Sequence, residues 1–119
     1  MKRMAMALAV VAILTVGSLA SARVVDGPVS AFSQFIEGDT YDTWTVFCYG
    51  GEYIEVAIDG DDSTDLDLAL VDSEGNIIAL DDLQGDFAYL KVYVPQGGEY
   101  AFVVINHGPG GNVYDIVAE

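Results

Sequence analysis

The chain has 119 residues, of which 19 are acidic and four are basic, so its formal net charge at pH 7 is −15. A surface this negative repels phosphate groups, which excludes nucleic acids and anionic membranes as partners. The single cysteine excludes an internal disulfide, and the 52% share of hydrophobic residues excludes a disordered acidic tail.

The first 22 residues have the pattern of a secretory signal peptide. Lys2 and Arg3 precede an apolar run over Met4–Val16, and small residues then lead to an Ala-x-Ala cleavage site that ends at Ala22. The alternative is a retained membrane anchor, but this run is about 13 residues long and a bilayer needs roughly 20. We therefore predict cleavage after Ala22 and export to the periplasm or the extracellular space.

The first part of the exported chain contains an N-terminal arm and two predicted strands. The arm covers residues 23–36 and ends in a weak edge strand over Ala31–Ile36. Thr43–Tyr49 is apolar at both sets of alternating positions, which predicts a strand covered on both faces. Tyr53–Ile58 also alternates, and the intervening Gly50-Gly51 predicts a tight hairpin between the two strands.

The clearest pattern along the chain lies in Asp65–Asp82. Polar and apolar residues alternate on both sides of a turn over Ser73–Asn76, which predicts a β-hairpin with one wet and one dry face. Further strands are predicted over Phe87–Val94, Tyr100–Ile105 and Val113–Val117. Seven or eight short strands without helical periodicity predict an all-β fold, and we expect two antiparallel sheets packed face to face.

Four segments in this order resemble the bacterial pre-peptidase C-terminal domain family. The first is a strand–Gly-Gly–strand segment at Trp44–Ile58, and the second is a hairpin with an Asp-x-Asp-Leu start at Asp65–Asp82. The third is a Pro-x-Gly-Gly-x-Tyr turn within Val94–Tyr100, and the fourth is a closing strand at Gly111–Val117. The resemblance covers residues 37–119. It implies a jelly-roll-like β-sandwich domain that serves exported enzymes as a targeting, binding or maturation module and is not itself a catalyst.

The resemblance also bears on calcium. The collagen-binding domains of clostridial collagenases are similar, and they bind calcium through an acidic N-terminal segment together with Asp residues before the first core strand. Asp39 and Asp42 precede Trp44 in this chain, so the resemblance implies that they are ligands. The acidic segment itself is absent, since residues 24–33 contain only Asp26.

A second acidic cluster is evident from the residues themselves. Calcium prefers roughly six to eight oxygen ligands, and aspartate-rich loops commonly supply them. The spacing of the aspartates in this cluster does not fit an EF-hand, but we predict Ca²⁺ as a cofactor. Asp81, Asp82 and Asp86 lie in a later loop that could approach the cluster. The alternative is a solvated acidic rim, which prevents edge strands from pairing or adapts the protein to salt. The predicted ligands of this cluster are Asp59, Asp61, Asp62, Asp65 and Asp67.

The residues do not form a combination typical of catalysis. His107 is the only histidine and has no second histidine or cysteine to complete a zinc site, so we interpret it as a loop residue. The serines lack a nucleophile-elbow motif. Cys48 lies in a predicted strand and is interpreted as a small buried hydrophobe, with an intermolecular disulfide as the alternative. We therefore predict that the chain is not an enzyme.

The strand over Phe87–Val94 carries the predicted partner-binding residues. Tyr89, Lys91 and Tyr93 share one face of it. Facing outward, they would form a strip that stacks on sugars or contacts a peptide. The other interpretation is a second packed layer, which the apolar character of both faces favours.

These observations lead to one functional hypothesis and one alternative. The hypothesis is a secreted, non-catalytic β-sandwich module that binds an extracellular protein or polysaccharide partner and is stabilised by calcium. The alternative is a salt-adapted structural subunit of an envelope or extracellular matrix, which assembles through its edge strands. The sequence leaves the partner and the oligomeric state open.

Overall fold

The computed structural model describes residues 23–26 and 29–119, with side chains from Ser30 onward, and this part of the chain forms nine strands. A five-stranded sheet has the order β1-β3-β8-β5-β6, and a four-stranded sheet has the order β2-β9-β4-β7. The strands are β1 (Arg23–Asp26), β2 (Val29–Ile36), β3 (Tyr41–Cys48), β4 (Glu52–Asp59), β5 (Leu66–Asp72), β6 (Ile77–Asp81), β7 (Phe87–Val94), β8 (Gly98–Asn106) and β9 (Asn112–Ala118).

The predicted fold class is confirmed: the chain is all-β, and its two sheets pack as a sandwich. The predicted edge strand is β2, which lies at one edge of the four-stranded sheet. The structure adds β1 within the predicted arm, where it pairs in parallel with β3, while the other strand pairs are antiparallel. The predicted signal peptide and residues 27–28 of the arm lie outside the described residues.

The interior is built from the alternating positions of both sheets. The predicted hairpin is β5–β6, in which Leu68 lies opposite Asp81 and the dry-face residues Leu66, Leu68 and Leu70 are completely buried. Its turn is closed by two backbone hydrogen bonds, from the Asp72 N–H to the Asn76 carbonyl and from the Gly75 N–H to the Asp72 carbonyl. Because side chains of a strand alternate between faces, one row of each strand enters the core. The predicted wet face of β5 is wrong, since Asp67, Ala69 and Val71 on its other row are at most 1% exposed.

The predicted hairpin at Gly50-Gly51 is wrong. β3 pairs with β1 and β8, whereas β4 belongs to the other sheet and pairs with β7 and β9. Both glycines have positive φ angles, of 85° and 69°, which glycine adopts without the strain that a Cβ atom would cause. The chain crosses between sheets here, and the apolar rows of β3 and β4 both enter the same core. Hydrophobic alternation predicts a dry face but not the sheet to which a strand belongs.

The expectation that β3 is covered on both faces is wrong at the C-terminal end of the strand. Phe47 is 48% exposed and the following Tyr49 is 74% exposed. Cys48, between them, is buried as interpreted, and burial, reinforced by the nearby Glu52 carboxylate, raises the pKa of its thiol to about 11.

A buried polar chain joins the two sheets. The Trp44 indole donates from Nε1 to the Tyr114 hydroxyl oxygen over 2.9 Å, and that hydroxyl donates to Asp42 Oδ2 over 2.7 Å. Buried polar groups that are paired in this way avoid the desolvation cost of unpaired ones. Within residues 23–26 and 29–119, no helix is long and apolar enough to cross a membrane.

Candidate functional site

The outer face of the four-stranded sheet carries a row of exposed aromatic side chains. On β7, the core positions Leu90 and Val94 alternate with outward positions, which place Tyr89 and Tyr93 at 43% and 50% exposure. The neighbouring strand β4 adds Tyr53 at 63% exposure, directly opposite Tyr93 in the pairing register. We call Tyr53, Tyr89, Lys91 and Tyr93 the tyrosine strip.

The rings of the tyrosine strip are held by their neighbours on the two strands. The rings of Tyr53 and Tyr93 meet edge to face, with centroids 5.3 Å apart, and the ammonium group of Lys91 lies 5.4 Å from the centroid of Tyr53. Such contacts are favoured by the negative face and positive edge of an aromatic ring. The strip therefore has a defined shape before any partner binds.

Glu55 orders the other end of the strip. It lies opposite Lys91 in the register, and its Oε2 accepts a hydrogen bond of 2.5 Å from the Tyr89 hydroxyl. This hydrogen bond, together with the nearby negative charge, raises the pKa of Tyr89 above its usual value. Tyr89 therefore remains a neutral hydrogen-bond donor at physiological pH.

The apolar surface continues from the tyrosine strip across the sheet. Val113 and Val117 on β9 are 38% and 42% exposed, and Phe35 on β2, opposite Val113, is 63% exposed. Among the described residues, these side chains and the strip form an open face. The interpretation as a second packed layer, which the sequence favours, therefore does not hold for the described part of the chain.

The acidic loops after β4 and β6 meet at one end of the sandwich, where Asp86 connects them to each other and to the start of β9. Asp86 is 6% exposed, and its Oδ2 accepts hydrogen bonds from the backbone of Asp62 over 2.6 Å and from the Asn112 amide over 3.1 Å. Its backbone carbonyl also accepts from Gly60. Asp86 thus approaches the loop after β4, as the sequence suggests, and it does so as an acceptor for that loop.

Asp61, at the same end of the sandwich as Asp86, accepts hydrogen bonds from Ser63 and Val113. Its carboxylate accepts from the Ser63 hydroxyl, from the Ser63 backbone and from the Val113 backbone. The hydrogen bond from the Ser63 hydroxyl is the largest cause of a lowered pKa at Asp61. Carboxylates used in this way hold the loop in its conformation.

Three side chains at this end lie close enough together to hold a metal ion. One ligand atom each of Asp65, Asp67 and His107 lie within 4.8 Å of one another, the only such group among the described residues. Nε2 of His107 is 2.5 Å from Oδ2 of Asp67, a carboxylate that is 1% exposed, and Oδ1 of Asp65 accepts from the Gly85 backbone. The structure thus brings together two of the seven predicted calcium ligands.

The other predicted ligands lie apart from this group. Asp42 is buried and bonded to Tyr114, Asp39 is exposed in the turn before β3, and Asp59 is exposed at the end of β4. Asp61 and Asp62 remain in the loop between β4 and β5.

Sequence reasoning missed two features of these sites. His107 reaches Asp67 because β5 pairs with β8 and the His107 backbone donates to the Asp65 carbonyl, and no local pattern connects residues 40 positions apart. Tyr53 joins the tyrosine strip through the β4–β7 register. Alternation with the apolar Val56, three residues later, predicts that Tyr53 lies on the outward row of β4. The sequence does not predict that β7 is the strand beside it.

A small cavity lies at the other end of the sandwich, between the two sheets. Cys48, Tyr53 and Ala118 contribute to its lining, and its volume is about 190 Å³. Pockets for small molecules commonly enclose about 300 Å³ or more. We therefore interpret this cavity as a packing gap, not as a ligand site.

Comparison with solved structures identifies several proteins with a similar fold. The pre-peptidase C-terminal domain of collagenase from Bacillus anthracis has a TM-score of 0.60 and 15% identity, with 82% of this chain and 94% of that chain covered. PliG from Aeromonas hydrophila, a periplasmic lysozyme inhibitor of g-type lysozyme, has a TM-score of 0.60 and 10% identity, with 83% and 96% covered. The Yersinia pseudotuberculosis-derived mitogen has a TM-score of 0.54 and 15% identity, with 79% and 86% covered.

The resemblance to a pre-peptidase C-terminal domain is thus confirmed for the fold. No protein-family model matches the chain, and no curated protein matches it. At such low identities, a shared β-sandwich establishes architecture and leaves function to be argued from the site.

Proposed function

We propose that the chain is a secreted, non-catalytic β-sandwich module that binds an extracellular protein or polysaccharide through the tyrosine strip. The observation that carries this proposal is the exposure of three tyrosines and a lysine in one row on β4 and β7. Tyrosine offers a large apolar ring with a polar tip and loses little conformational entropy on binding. Such a row suits partners that alternate apolar faces with hydrogen-bonding groups, as sugar rings and peptide chains do.

The strip also has the rigidity that a binding site needs. It is built on two paired strands, and contacts among Tyr53, Lys91 and Tyr93 hold the rings in place. Side chains that are ordered before binding lose less entropy when a partner arrives. The tyrosine strip is therefore better suited to recognition than the loops around it.

The net negative charge of the chain disfavours partners that are themselves negatively charged. Acidic residues outnumber basic ones 19 to four, and Lys2 and Arg3 belong to the predicted signal peptide. Like charges facing each other across an interface are unfavourable. The proposed partner is therefore a neutral or basic polymer.

Export and the lack of catalysis are parts of the same proposal. Export rests on the N-terminal pattern of residues 1–22, and the absence of catalysis rests on the residue types of the chain. The proteins of similar fold are described as a domain of a collagenase and as a periplasmic inhibitor of lysozyme. Neither description is that of a catalytic unit, which supports the proposal.

Stabilisation by calcium is proposed at Asp65 and Asp67. Their carboxylates are near each other and offer at most about four of the roughly six to eight oxygens that calcium prefers, so backbone carbonyls and water would complete the shell. Asp39, Asp42, Asp59, Asp61 and Asp62 do not join this group. Calcium therefore has a stabilising role in the proposal and no role in contacting the partner.

Binding to immobilised polymers tests the proposal. Neutral polysaccharides and basic extracellular proteins are arrayed, and the chain is applied at physiological salt. We expect retention on at least one polymer and a loss of ten-fold or more in the Y53A/Y93A variant. The matched control is F32A, because Phe32 is also 61% exposed but lies on β2, at the far edge of the same sheet. No retention on any polymer, or an equal loss in F32A, would contradict the proposal.

A further inference from the structure

Strand β7 lies at one edge of the four-stranded sheet. Its neighbour on one side is β4, and no described strand pairs with it on the other side, which we call the free edge. A strand in this position presents a row of backbone N–H and C=O groups with which another extended chain can pair. Natural proteins usually block such edges, so a long edge without a block is a candidate for binding.

The other three edges of the described sheets are short or interrupted. β1 and β6, at the edges of the five-stranded sheet, comprise four and five residues. β2 is longer, but its register with β9 shifts between Ala31 and Gln34, and Ser33 has a φ angle of 56°. In contrast, β7 keeps one register with β4 along all eight of its residues. Short strands and bulges hinder pairing with a further chain, so β7 is the longest regular edge of these sheets.

Hydrogen bonds at the two ends of β7 show which of its residues face β4. The Val94 carbonyl accepts from the N–H of Gly51, directly before β4, and the Asp86 carbonyl accepts from the N–H of Gly60, directly after β4. In an antiparallel pair, the N–H and C=O groups of one residue point to the same side, and successive residues alternate. The even-numbered residues of β7 therefore direct their backbone groups toward β4.

The odd-numbered residues of β7 direct their backbone groups toward the free edge. The Tyr89 N–H donates to Oδ2 of Asp81 over 2.9 Å, and Asp81 lies on β6 in the other sheet. The N–H and C=O groups of Lys91 and Tyr93 follow on the same side of the strand. A second polypeptide strand matches this row because its own N–H and C=O groups repeat at the same spacing, whereas a polysaccharide has no such repeat.

The one charged side chain of β7 leaves the free edge open. A lysine on an edge strand commonly hinders pairing with another chain. The ammonium group of Lys91, however, lies 5.4 Å from the centroid of the Tyr53 ring, and Tyr53 belongs to β4. The lysine side chain therefore extends over the sheet, away from the backbone groups at the free edge.

We infer that an extended segment of another protein, neutral or basic in charge, binds along β7 as an additional strand of the four-stranded sheet. This inference rests on the proposed function, because Tyr89 and Tyr93 belong to the tyrosine strip, and it narrows the partner to a polypeptide. Backbone hydrogen bonds at Lys91 and Tyr93 provide the affinity in this mode of binding. The rings of the strip then contact every second side chain of the added segment.

Charge disfavours a second copy of this chain as the added segment. Each copy brings a formal net charge of −15 to the contact, and like charges across an interface are unfavourable. In an antiparallel pair of β7 strands centred on Lys91, the two lysines would also face each other. The carboxylates of Glu55 on β4 and Asp81 on β6 lie beside β7, and they favour a segment that carries basic side chains.

Amide hydrogen exchange, followed by NMR in the full chain, tests whether the edge is free. We expect the Lys91 and Tyr93 amides to exchange about ten-fold faster or more than the Val92 amide, which is directed toward β4. Equal protection of the three amides would mean that the edge is closed, and the inference would be wrong. Protection of Lys91 that rises with the concentration of the chain would show that a second copy occupies the edge, which also contradicts the inference.

A peptide probe tests the binding itself. The probe has about nine residues, the length of a long strand, with valine and threonine alternating between two terminal lysines. Its matched control is the same peptide N-methylated at the central residues, which removes the backbone donors. We expect millimolar probe to shift the amide resonances of Lys91 and Tyr93 and to slow their exchange, and the control peptide to do neither. No binding of the probe, or equal binding of both peptides, would overturn the inference.

The variants K91P and K91A separate the backbone of the edge from its side chains. Both lack the lysine side chain, but only K91P also lacks the N–H at the free edge, a position where proline is tolerated. We expect K91P to bind the probe about ten-fold or more weakly than K91A. Equal affinities would mean that the rings alone bind the probe, which overturns the inference and leaves the proposed function standing. The polymer array with Y53A/Y93A decides the proposed function separately. Y93P against Y93A repeats the comparison should K91P fail to fold, as judged by far-ultraviolet circular dichroism.

Discussion

The end of the sandwich where the aspartate-rich loops after β4 and β6 meet, here called the acidic end, differs from the tyrosine strip in what its polar groups contact. At the acidic end, the carboxylates of Asp61 and Asp86 accept hydrogen bonds from the backbone of the loops that carry them or lie beside them. In the strip, the rings of Tyr53 and Tyr93 contact each other and otherwise face outward. The carboxylates at the acidic end therefore hold loops in their conformation, whereas the exposed rings of the tyrosine strip are accessible to a partner.

We therefore expect the acidic end to contribute to stability and the tyrosine strip to contribute to binding. Substitutions at the acidic end should change the free energy of unfolding, because they remove the acceptors of backbone N–H groups, among them the part-buried N–H of Asp62. Substitutions in the tyrosine strip should leave the fold intact, because exposed positions away from caps and networks contribute little. Each of the following experiments compares the two regions.

The largest effect is expected from D86A. The substitution leaves the Asn112 amide and the Asp62 backbone without their acceptor, and hydrogen bonds to charged groups that are lost in this way cost about 3 kcal/mol. In a domain of this size we expect the melting temperature to fall by roughly 10 to 20 °C. Thermal unfolding followed by circular dichroism measures it.

D82A is the matched control for D86A. Asp82 is a partly exposed carboxylate just after β6, in the same loop, so its removal changes the net charge by the same amount. We expect its melting temperature to stay within a few degrees of that of the unmodified chain. Equal shifts for both variants would mean that charge, not the hydrogen bonds of Asp86, sets the stability of this end.

Calcium should produce the next largest effect if Asp65 and Asp67 bind it. A ligand that binds only the folded chain adds about 2.7 kcal/mol at a hundred times its dissociation constant, which raises the melting temperature by roughly 10 °C or more. We expect calcium to exceed sodium at matched ionic strength in the unmodified chain and in D59N, but not in D65N. Equal rises in both salts would mean simple screening of the acidic surface.

The sequence predicts the sheets of this fold better than it predicts which strands are neighbours. Alternation along Asp65–Asp82 correctly places the β5–β6 hairpin and its buried leucines. The same kind of alternation around Gly50-Gly51 led to a hairpin that does not exist, because a pair of glycines permits either a tight turn or a crossing between sheets. The two possibilities differ only in long-range packing, which a local pattern does not contain.

The candidate sites show the same limit. The outward row of β7 could be predicted because its residues lie two positions apart in one strand. The cluster of Asp65, Asp67 and His107 could not, because it depends on the pairing of β5 with β8. The exposure of Tyr89 and Tyr93 could not be decided either, since a second layer depends on elements far away along the chain.

A smaller effect is expected on the ionisation of Asp61. The Ser63 hydroxyl stabilises its ionised form, so its pKa lies below the usual 3.8. This contribution to stability is present above the usual pKa and is lost as the pH falls through the lowered value. S63A should therefore raise the pKa of Asp61 toward 3.8, measured by NMR titration of its carboxyl carbon. Asp72 is the control, since hydrogen bonds from Asn76 lower its pKa despite some burial. An unchanged Asp61 would contradict the role of Ser63.

The smallest effect on stability is expected in the tyrosine strip. Y93A removes a half-exposed ring whose edge contact with Tyr53 is worth about 0.5 to 1.5 kcal/mol in buried pairs, and less at this exposed site. We expect the free energy of unfolding to change by under about 1 kcal/mol, measured by urea denaturation, while partner retention falls strongly. The comparison with D86A is then complete, because that variant should lose stability and, once folded, keep its partner. A Y93A chain that unfolds as readily as D86A would show that the strip is a structural element of the sheet and not a surface kept open for binding.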